Sequence, residues 1–224
     1  MTARIMETAA KRRVFLVDDH PLVREWLTTL IDQQKDLVVC GEAEDAPQAL
    51  RAIEDLQPDV AVVDVTLASG SGIELVKDVR RLAPNIAVVV LSMHDEALYA
   101  ERALRAGARG YVMKRETTKK IIIAIRDVLE GRLYVSEEFR TSMAEKFIDG
   151  KAGGSPVDQL SDRELEVFRR LGQGQDTRRI SEALGISIKT VQVYCARIKE
   201  KLNLANATEL LREAMRWWES QNRN

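Results

Sequence analysis

Five short apolar runs alternate with helical patterns over the first 130 residues of the chain, and this alternation restricts the fold more than any other feature. Continuous apolar strands separated by helices are typical of a parallel sheet that is covered on both faces. Strands are predicted at residues 14–17, 37–40, 60–63, 86–91 and 110–113, and helices at 22–33, 47–56, 72–82, 97–106 and 119–129. We expect an α/β fold, a doubly wound five-stranded parallel sheet. Such a fold binds ligands at the carboxyl ends of its strands.

A change of pattern divides the chain after this α/β part. Residues 136–148 have helical spacing, and residues 149–156 then contain three Gly, one Ser and one Pro. Such a cluster is typical of a domain boundary. From residue 160 to residue 218 the pattern is helical throughout. We expect an N-terminal extension (1–12), an α/β domain (13–130), a linker with a helical segment (131–156) and an all-α domain (157–224).

Composition narrows the class of protein. The 224 residues are 45% hydrophobic and 31% charged, with a net charge of −1, as in an ordinary globular protein. The two cysteines, Cys40 and Cys195, form no CxxC pair, so neither a disulfide framework nor a zinc site is expected. No apolar run approaches the roughly 20 residues of a membrane span. We therefore expect a cytoplasmic protein with no membrane segment.

Acidic residues stand at the predicted ends of two strands. Asp18 and Asp19 follow the first strand, and Asp64 ends the third. If the strands are parallel, the three carboxylates meet at one edge of the sheet, where they repel one another unless a cation is bound. Mg²⁺ suits such oxygen ligands. A simpler interpretation of Asp19 is a helix N-cap before Pro21.

The same edge gains a hydroxyl and an ammonium group. Ser92 ends the fourth predicted strand, and Lys114 follows the fifth. Beside a carboxylate cluster with Mg²⁺, these groups make a receptor for phosphoryl oxygens, and a carboxylate such as Asp64 can be the nucleophile that forms an aspartyl-phosphate. Each residue alone also fits an ordinary surface position, so the prediction depends on their joint occurrence.

These motifs resemble the ordered signature of response-regulator receiver domains, which have a flavodoxin-like fold. The resemblance covers about residues 13–130 and depends on Val17-Asp18-Asp19, Val63-Asp64, Leu91-Ser92 and Gly110-Tyr111-Val112-Met113-Lys114. It implies that Asp64 accepts a phosphoryl group from a phosphohistidine on a sensor histidine kinase. It also implies that Asp18, Asp19, Asp64 and the backbone carbonyl of Thr66 hold Mg²⁺.

The resemblance gives roles to the remaining residues at this edge. Lys114 would bind the phosphoryl oxygens, Ser92 would follow them, and Tyr111 would swing inward as the conformational readout. The loop at 65–72 lacks the proline that many receivers have four residues after the phosphoacceptor. We interpret His94 as a solvent-facing loop histidine rather than a catalytic one.

The second domain contains two helical patterns joined by a turn. The first, at 176–184, has Ile180, Ala183 and Leu184 inward; Gly185 suits the turn, and Ser187 suits an N-cap. The second, at 188–202, has Val191, Cys195, Ile198 and Leu202 on one face. Between residues 176 and 201 there are six basic and three acidic side chains. This pattern also fits an ordinary helical hairpin, but the basic face with Thr and Gln favours DNA.

This region resembles the LuxR-type output domain of the NarL/FixJ family. The resemblance covers about residues 157–217, from Leu160-Ser161-Asp162-Arg163-Glu164 to Lys201-Leu202, and implies a recognition helix at 188–202. Gln192, Val193 and Ala196 would reach base edges. The residues that would lie nearer the DNA backbone are Lys189, Thr190, Arg197 and Lys201. The full predicted DNA-binding set is Ser187, Lys189, Thr190, Gln192, Val193, Ala196, Arg197 and Lys201. The last helix, at 207–218, has an apolar stripe whose excess is a candidate dimer face.

The combined interpretation is a phosphorylation-dependent, DNA-binding transcriptional regulator of a two-component system, and not an enzyme. Its expected partners are a sensor histidine kinase, double-stranded DNA and a second copy of the chain when active. A Mg²⁺-dependent phosphatase would need a substrate-binding insertion, and the sequence shows none. A nucleotide-binding module would need a Gly-rich turn after the first strand, where residues 18–21 stand instead. A receiver that regulates DNA binding without phosphorylation stays open.

Overall fold

The computed structural model of the protein describes residues 10–67, 71–93, 96–116, 118–148 and 156–221. The chain divides into two compact units, residues 1–145 and residues 146–224. Most of the predicted N-terminal extension, the loop histidine His94, residues 68–70 of the loop after Asp64 and most of the Gly-rich break lie outside the described residues.

The first unit is built around one parallel sheet with the strand order β2-β1-β3-β4-β5. Its strands are β1 (Arg12–Val17), β2 (Leu37–Ala43), β3 (Val60–Asp64), β4 (Ala87–Ser92) and β5 (Gly110–Met113). Its helices are α1 (Pro21–Asp32), α2 (Ala46–Leu56), α3 (Gly72–Leu82), α4 (Glu96–Ala106), α5 (Thr118–Leu129) and most of α6 (Glu137–Ile148), whose last three residues fall in the second unit. The predicted doubly wound fold is confirmed.

The register of the two central strands determines where the acidic residues lie. Both faces of β1 and β3 are buried, as expected for a sheet with helices on each side. Val17 of β1 is paired with Val63 of β3. Asp18 and Asp64 each come one residue after this pair, so both emerge at the carboxyl edge of the sheet, between the strands where the order reverses.

The first unit continues beyond the predicted domain end at residue 130. The N–H of Tyr111 donates to the carbonyl oxygen of Tyr134 at 2.9 Å, and the N–H of Tyr134 donates to the carbonyl oxygen of Arg109 at 3.0 Å. Val135 and Phe139 are buried. The segment from residue 134 to residue 139, which the sequence suggested was linker, therefore lies along β5 and belongs to the α/β unit.

The second unit is a helical bundle. After a short 3₁₀ turn (Pro156–Gln159) it consists of α7 (Asp162–Gly172), α8 (Thr177–Leu184), α9 (Ile188–Lys201) and α10 (Ala207–Gln221). Its core includes Phe168, whose ring centroid lies 5.6 Å from that of Trp217. A Cβ at Gly172 would lie 2.5 Å from the Ala214 carbonyl oxygen, so α7 and α10 are in backbone contact there.

The faces of these helices agree with the sequence pattern except at a few positions. Val191 and Ile198 of α9 are buried as predicted, but Cys195 is only half-buried and Ala183 of α8 is exposed rather than inward. Ala183 fits the helical spacing, but the buried residues of the eight-residue helix α8 are Ile180 and Ser181, so the side of α8 that faces the core does not include Ala183. No helix in the described part of the chain is long and apolar enough to cross a membrane.

Candidate functional site

The predicted meeting of the acidic residues at one edge is confirmed. One ligand atom from each of Asp18, Asp19, His20 and Asp64 lies within 4.8 Å of the others. Asp18 and Asp64 are buried, with 2% and 5% of their surface exposed. The N-cap interpretation of Asp19 is wrong, because α1 begins at Pro21 with His20 in the capping position and no side chain caps it.

Lys114 lies between two of these carboxylates. Its Nζ is 2.5 Å from Oδ2 of Asp18 and 2.6 Å from Oδ2 of Asp64. Its backbone N–H donates to the Ser92 carbonyl oxygen at 2.7 Å, which ties the residue after β5 to the end of β4. The extension of two adjacent parallel strands thus delivers the ammonium group to the acidic pocket.

Among the described residues, the carboxylates in this pocket outnumber the single lysine that contacts them. Burial raises the pKa of the Asp64 carboxyl to about 6, although the Lys114 ammonium works in the opposite direction. Burial alone would lower the pKa of Lys114, but Asp64 and Asp18 raise it above its ordinary value. A buried acid with a raised pKa beside a fixed cation is typical of functional sites, although structural ion pairs also shift pKa values.

The position of Asp64 is fixed by its neighbours along the chain. A Cβ at Gly72, the first residue of α3, would lie 1.8 Å from the Asp64 carbonyl oxygen, so only glycine fits there. Ser71 caps α3 by accepting the N–H of Ile73 at 3.2 Å. The N–H of Thr66 donates to Oδ1 of Asp64 at 3.4 Å. The metal-binding role expected for the Thr66 carbonyl stays a prediction.

Ser92 and Tyr111 lie inside the unit. Ser92 is completely buried at the end of β4, and Tyr111 of β5 is 1% exposed. The expectation that Tyr111 swings inward therefore has no exposed starting position in this structure, since its ring is already buried. The sequence could not distinguish an outward from an inward position of the Tyr111 ring, because the strand pattern is the same for both.

Two residues of the pocket escaped the sequence prediction. His20 Nδ1 lies 2.7 Å from Oδ1 of Asp19 and 3.2 Å from Oδ1 of Asp18. Arg24 of α1 donates from Nη1 to the Asp18 carbonyl oxygen at 2.6 Å. His20 had a signal, since it directly follows the acidic pair, whereas Arg24 reaches the pocket from one helical turn further along α1 and had no such signal.

The residues of the pocket fit a Mg²⁺ ion. Asp18, Asp19 and Asp64 supply carboxylate oxygens, the ligands that Mg²⁺ prefers. In the described chain, Oδ1 of Asp19 is buried and accepts no hydrogen bond, although His20 Nδ1 lies 2.7 Å from it. A buried acceptor without a donor is uncommon, and a cation would satisfy it.

The second candidate site is the exposed face of α9. Asp176 caps α8 by accepting the N–H of Arg179 at 2.8 Å, and α8 ends at Gly185, whose φ is 63°. Ser187 then caps α9, accepting the N–H of Thr190 at 3.0 Å. The predicted DNA-binding residues that are exposed on this helix are Lys189, Gln192, Val193, Ala196, Arg197 and Lys201.

Ser187 and Thr190 are less free than their exposed neighbours. Their hydroxyl oxygens lie 2.8 Å apart, so one donates to the other. Thr190 is half-buried. The pair therefore fixes the first turn of α9. Either hydroxyl group could bind a phosphate oxygen of DNA only by sharing or breaking the hydrogen bond between them.

Lys201 is engaged in an internal ion pair. Its Nζ lies 2.7 Å from Oε2 of Glu164 and donates to the Gln159 carbonyl oxygen at 3.2 Å. Glu164 is buried and closes a capping box with Ser161, which begins α7. Burial opposes ionisation of Glu164, but hydrogen bonds from Lys201 and Ser161 hold its pKa below the ordinary value. This arrangement weighs against the phosphate contact expected for Lys201.

Comparisons with known proteins cover both domains. The response regulator receiver domain family matches residues 14–126, and the luxR family of bacterial regulatory proteins matches residues 158–214. The response regulator GacA of Pseudomonas viridiflava is 35% identical over 91% of this chain and 95% of its own length. The oxygen regulatory protein NreC of Staphylococcus carnosus is 30% identical over 91% of this chain and 97% of its own length.

A solved structure is similar over both domains. It is RcsB of Salmonella enterica serovar Typhimurium bound to promoter rprA in the presence of the phosphomimetic BeF₃⁻, which is 26% identical, covers 91% of this chain and 98% of its own, and has a TM-score of 0.58. The fold and the two matches define a two-component regulator with a DNA-binding output. The chain belongs to the response regulators that join a receiver domain to a LuxR-type DNA-binding domain.

Proposed function

We propose that the protein is switched by phosphorylation of Asp64 and controls transcription by binding double-stranded DNA through α9. The observation that carries this proposal is the buried Asp64 carboxylate with Lys114 Nζ at 2.6 Å, among the carboxylates of Asp18 and Asp19. The phosphoryl donor is a phosphohistidine on a sensor histidine kinase. This donor and the target DNA imply a cytoplasmic protein.

The transfer is a displacement at phosphorus. An Asp64 oxygen forms a bond to phosphorus while the phosphorus–nitrogen bond of the phosphohistidine breaks, and its electron pair returns to the imidazole. Lys114 binds a phosphoryl oxygen and offsets the added charge. Ser92 donates its hydroxyl to another phosphoryl oxygen. Asp18, Asp19, Asp64 and the Thr66 carbonyl would hold Mg²⁺, which would supply positive charge that stabilises the negative charge of the phosphoryl group.

The DNA-binding role depends on the exposed face of α9. Lys189 and Arg197 are charged and face solvent, as phosphate contacts require, and the amide of Gln192 can bind a base edge. Val193 is an exposed apolar side chain, suited to a thymine methyl group. We assign Ala196 to the same base-facing surface, and Ser187, Thr190 and Lys201 mainly to holding α9 in place.

We further propose that the active form is a homodimer. Leu211 and Met215 of α10 lie one turn apart and are each more than two-fifths exposed, whereas Leu210 and Ala214 beside them are buried. An RcsB structure, 25% identical with a TM-score of 0.57, contains two dimers bound to two parallel DNAs. This apolar pair on α10 is the candidate face for a second copy of the chain.

One observation favours a second candidate, regulation of DNA binding without phosphorylation. Tyr111 is already buried, as a switched receiver would have it. If the resting chain has this conformation, the phosphoryl group would have less to change. Labelling of Asp64 and its effect on DNA affinity separate the two candidates.

The phosphoacceptor is tested by labelling with acetyl phosphate. We expect Mg²⁺-dependent labelling of the wild-type chain and none of Asp64→Asn, which keeps the shape of the side chain but not its nucleophile. Asp55→Asn, an exposed position on α2, is the matched control and should label like wild type. Equal labelling of Asp64→Asn and wild type would overturn the assignment.

A further inference from the structure

The first turn of α6 is capped by residues from two different helices. Ser136 occupies the N-cap position, and its Oγ accepts the N–H of Phe139 at 3.0 Å. The backbone N–H of Ser136 donates to Oε1 of Glu96 at 2.9 Å. Glu96 is the first residue of α4, 40 positions earlier in the chain. Together the two bonds satisfy the donors that a capping box satisfies within one helix.

The contrast with α7 shows what is unusual. There Ser161 accepts the N–H of Glu164, and Glu164 accepts the N–H of Ser161 at 2.7 Å, so the box is complete within one helix. The equivalent third position of α6 is Phe139, which has no side-chain acceptor and is buried. Glu96 therefore supplies from α4 the acceptor that the sequence of α6 lacks.

Glu96 follows the pocket residue Ser92 closely in the chain and contributes to the cap of α6. It is buried, with 6% of its surface exposed, and it begins α4 four positions after Ser92. Ser92 ends β4 beside Asp64, with its carbonyl bound by the N–H of Lys114. A displacement of Ser92 toward a phosphoryl group acts on the short connection that leads to Glu96.

The other side of the segment is fixed to the sheet. Tyr134, two residues before Ser136, exchanges backbone hydrogen bonds with Tyr111 and Arg109 at β5. The start of α6 thus has one attachment to a strand and another to the first residue of α4. The Glu96 bond has an ordinary length of 2.9 Å, so a shift that carries α4 away from Ser136 lengthens and weakens it.

We propose that Glu96 is the coupling residue that links the phosphorylation state of the pocket to α6, the helix that leads toward the DNA-binding domain. The inference rests on the proposed function. In the unphosphorylated chain Glu96 caps α6 and holds its first turn. Phosphorylation withdraws Glu96, the first turn of α6 opens, and this change reaches the helix that precedes the DNA-binding domain in the chain.

Hydrogen exchange of the full chain, followed by mass spectrometry with and without Mg²⁺ and BeF₃⁻, tests this coupling. In wild type, BeF₃⁻ should speed exchange at residues 136–140 on the order of fivefold, the factor for one typical net hydrogen bond. In Glu96→Ala these amides should exchange fast in both states. Glu96→Gln keeps an acceptor and should restore most of the protection.

DNA binding supplies the readout that a merely structural role would not change. Glu96→Ala without BeF₃⁻ should bind DNA within about twofold of wild type with BeF₃⁻, because the first turn of α6 is already open. Glu101→Ala, on the same helix and in an exposed pair with Arg105, is the matched control and should behave like wild type. Wild-type affinity and an intact response in Glu96→Ala would overturn the proposal.

Two further comparisons keep the outcome decisive. If Glu96→Ala does not fold, Ser136→Pro removes the N–H donor instead, and Ser136→Ala, which keeps it, is its control. In wild type, a BeF₃⁻ response in α4 without one at residues 136–140 would refute the role of Glu96 alone. No response in α4 or the pocket would count against the proposed function itself.

Discussion

The two units each contain a lysine that binds a buried carboxylate, and the two clusters differ in charge balance. Lys114 faces Asp18 and Asp64, with Asp19 close by, and the pKa of Asp64 is raised to about 6. Lys201 faces Glu164 alone, and the pKa of Glu164 is lowered. Similar distances of 2.5–2.7 Å therefore accompany opposite effects on the acid.

The difference separates a reactive site from a structural one. Glu164 has a lysine and a backbone donor for its charge, so its ionised form stabilises the fold. Asp64 shares one lysine with another buried acid, so its ionised form is under-compensated until a cation binds. Under-compensated charge of this kind is expected where function, rather than stability, determines the residues.

The largest effect is expected from removing the ion pair between Lys201 and Glu164. Lys201→Ala leaves Glu164 buried without its cation and should lower the free energy of unfolding of the second unit by about 1–3 kcal/mol, less than for a fully buried pair because Lys201 is partly exposed. Urea unfolding followed by Trp217 and Trp218 fluorescence, in a Trp26→Phe background, measures it. Lys189→Ala, exposed on the same helix, is the control and should stay within about 0.5 kcal/mol of wild type.

In the acidic pocket we expect the opposite change in stability, because removing a charge there should raise the free energy of unfolding. A raised pKa in the folded state means that Asp64 stabilises the fold only in its protonated form, and that this contribution is lost as the pH rises through about 6. At pH 7 without Mg²⁺, Asp64→Asn should therefore raise the free energy of unfolding of the first unit by about 1–2 kcal/mol. Asp55→Asn is the control. A destabilised Asp64→Asn protein would show that the two clusters do not differ as described.

The smallest expected effect concerns salt. Arg197 faces solvent on α9, so Arg197→Ala should reduce the slope of log affinity against log salt concentration by about 0.9 for one lost phosphate contact. Lys201→Ala should change this slope less, because its ammonium is bound to Glu164. If Lys201→Ala reduced the slope as much as Arg197→Ala, Lys201 would leave its ion pair to contact DNA.

The features that the sequence predicted are the ones with a local or periodic signal. The strands and helices followed from apolar periodicity, and the meeting of Asp18, Asp19 and Asp64 followed from the position of each at a strand end. The Ser161–Glu164 capping box was not predicted, although its two members are only three residues apart and so have a local signal.

The features that were missed depend on contacts between distant segments. The Glu96–Ser136 bond joins residues 40 apart, and the Lys201–Glu164 pair joins residues 37 apart. Neither has a pattern that distinguishes it from an exposed charge. The added pairing of Tyr134 with β5 was missed for the same reason, since one bridge leaves no alternation to recognise.

The central claim is that the charge state of the Asp64 pocket controls binding by α9, and the affinity of the full chain for DNA tests it most directly. With Mg²⁺ and BeF₃⁻, wild-type affinity should rise by about 5–150-fold, the range of ordinary coupling between sites. Asp64→Asn should bind DNA with the same affinity whether or not BeF₃⁻ is present. Equal wild-type affinity in both conditions, or an undiminished rise in Asp64→Asn, would contradict the account.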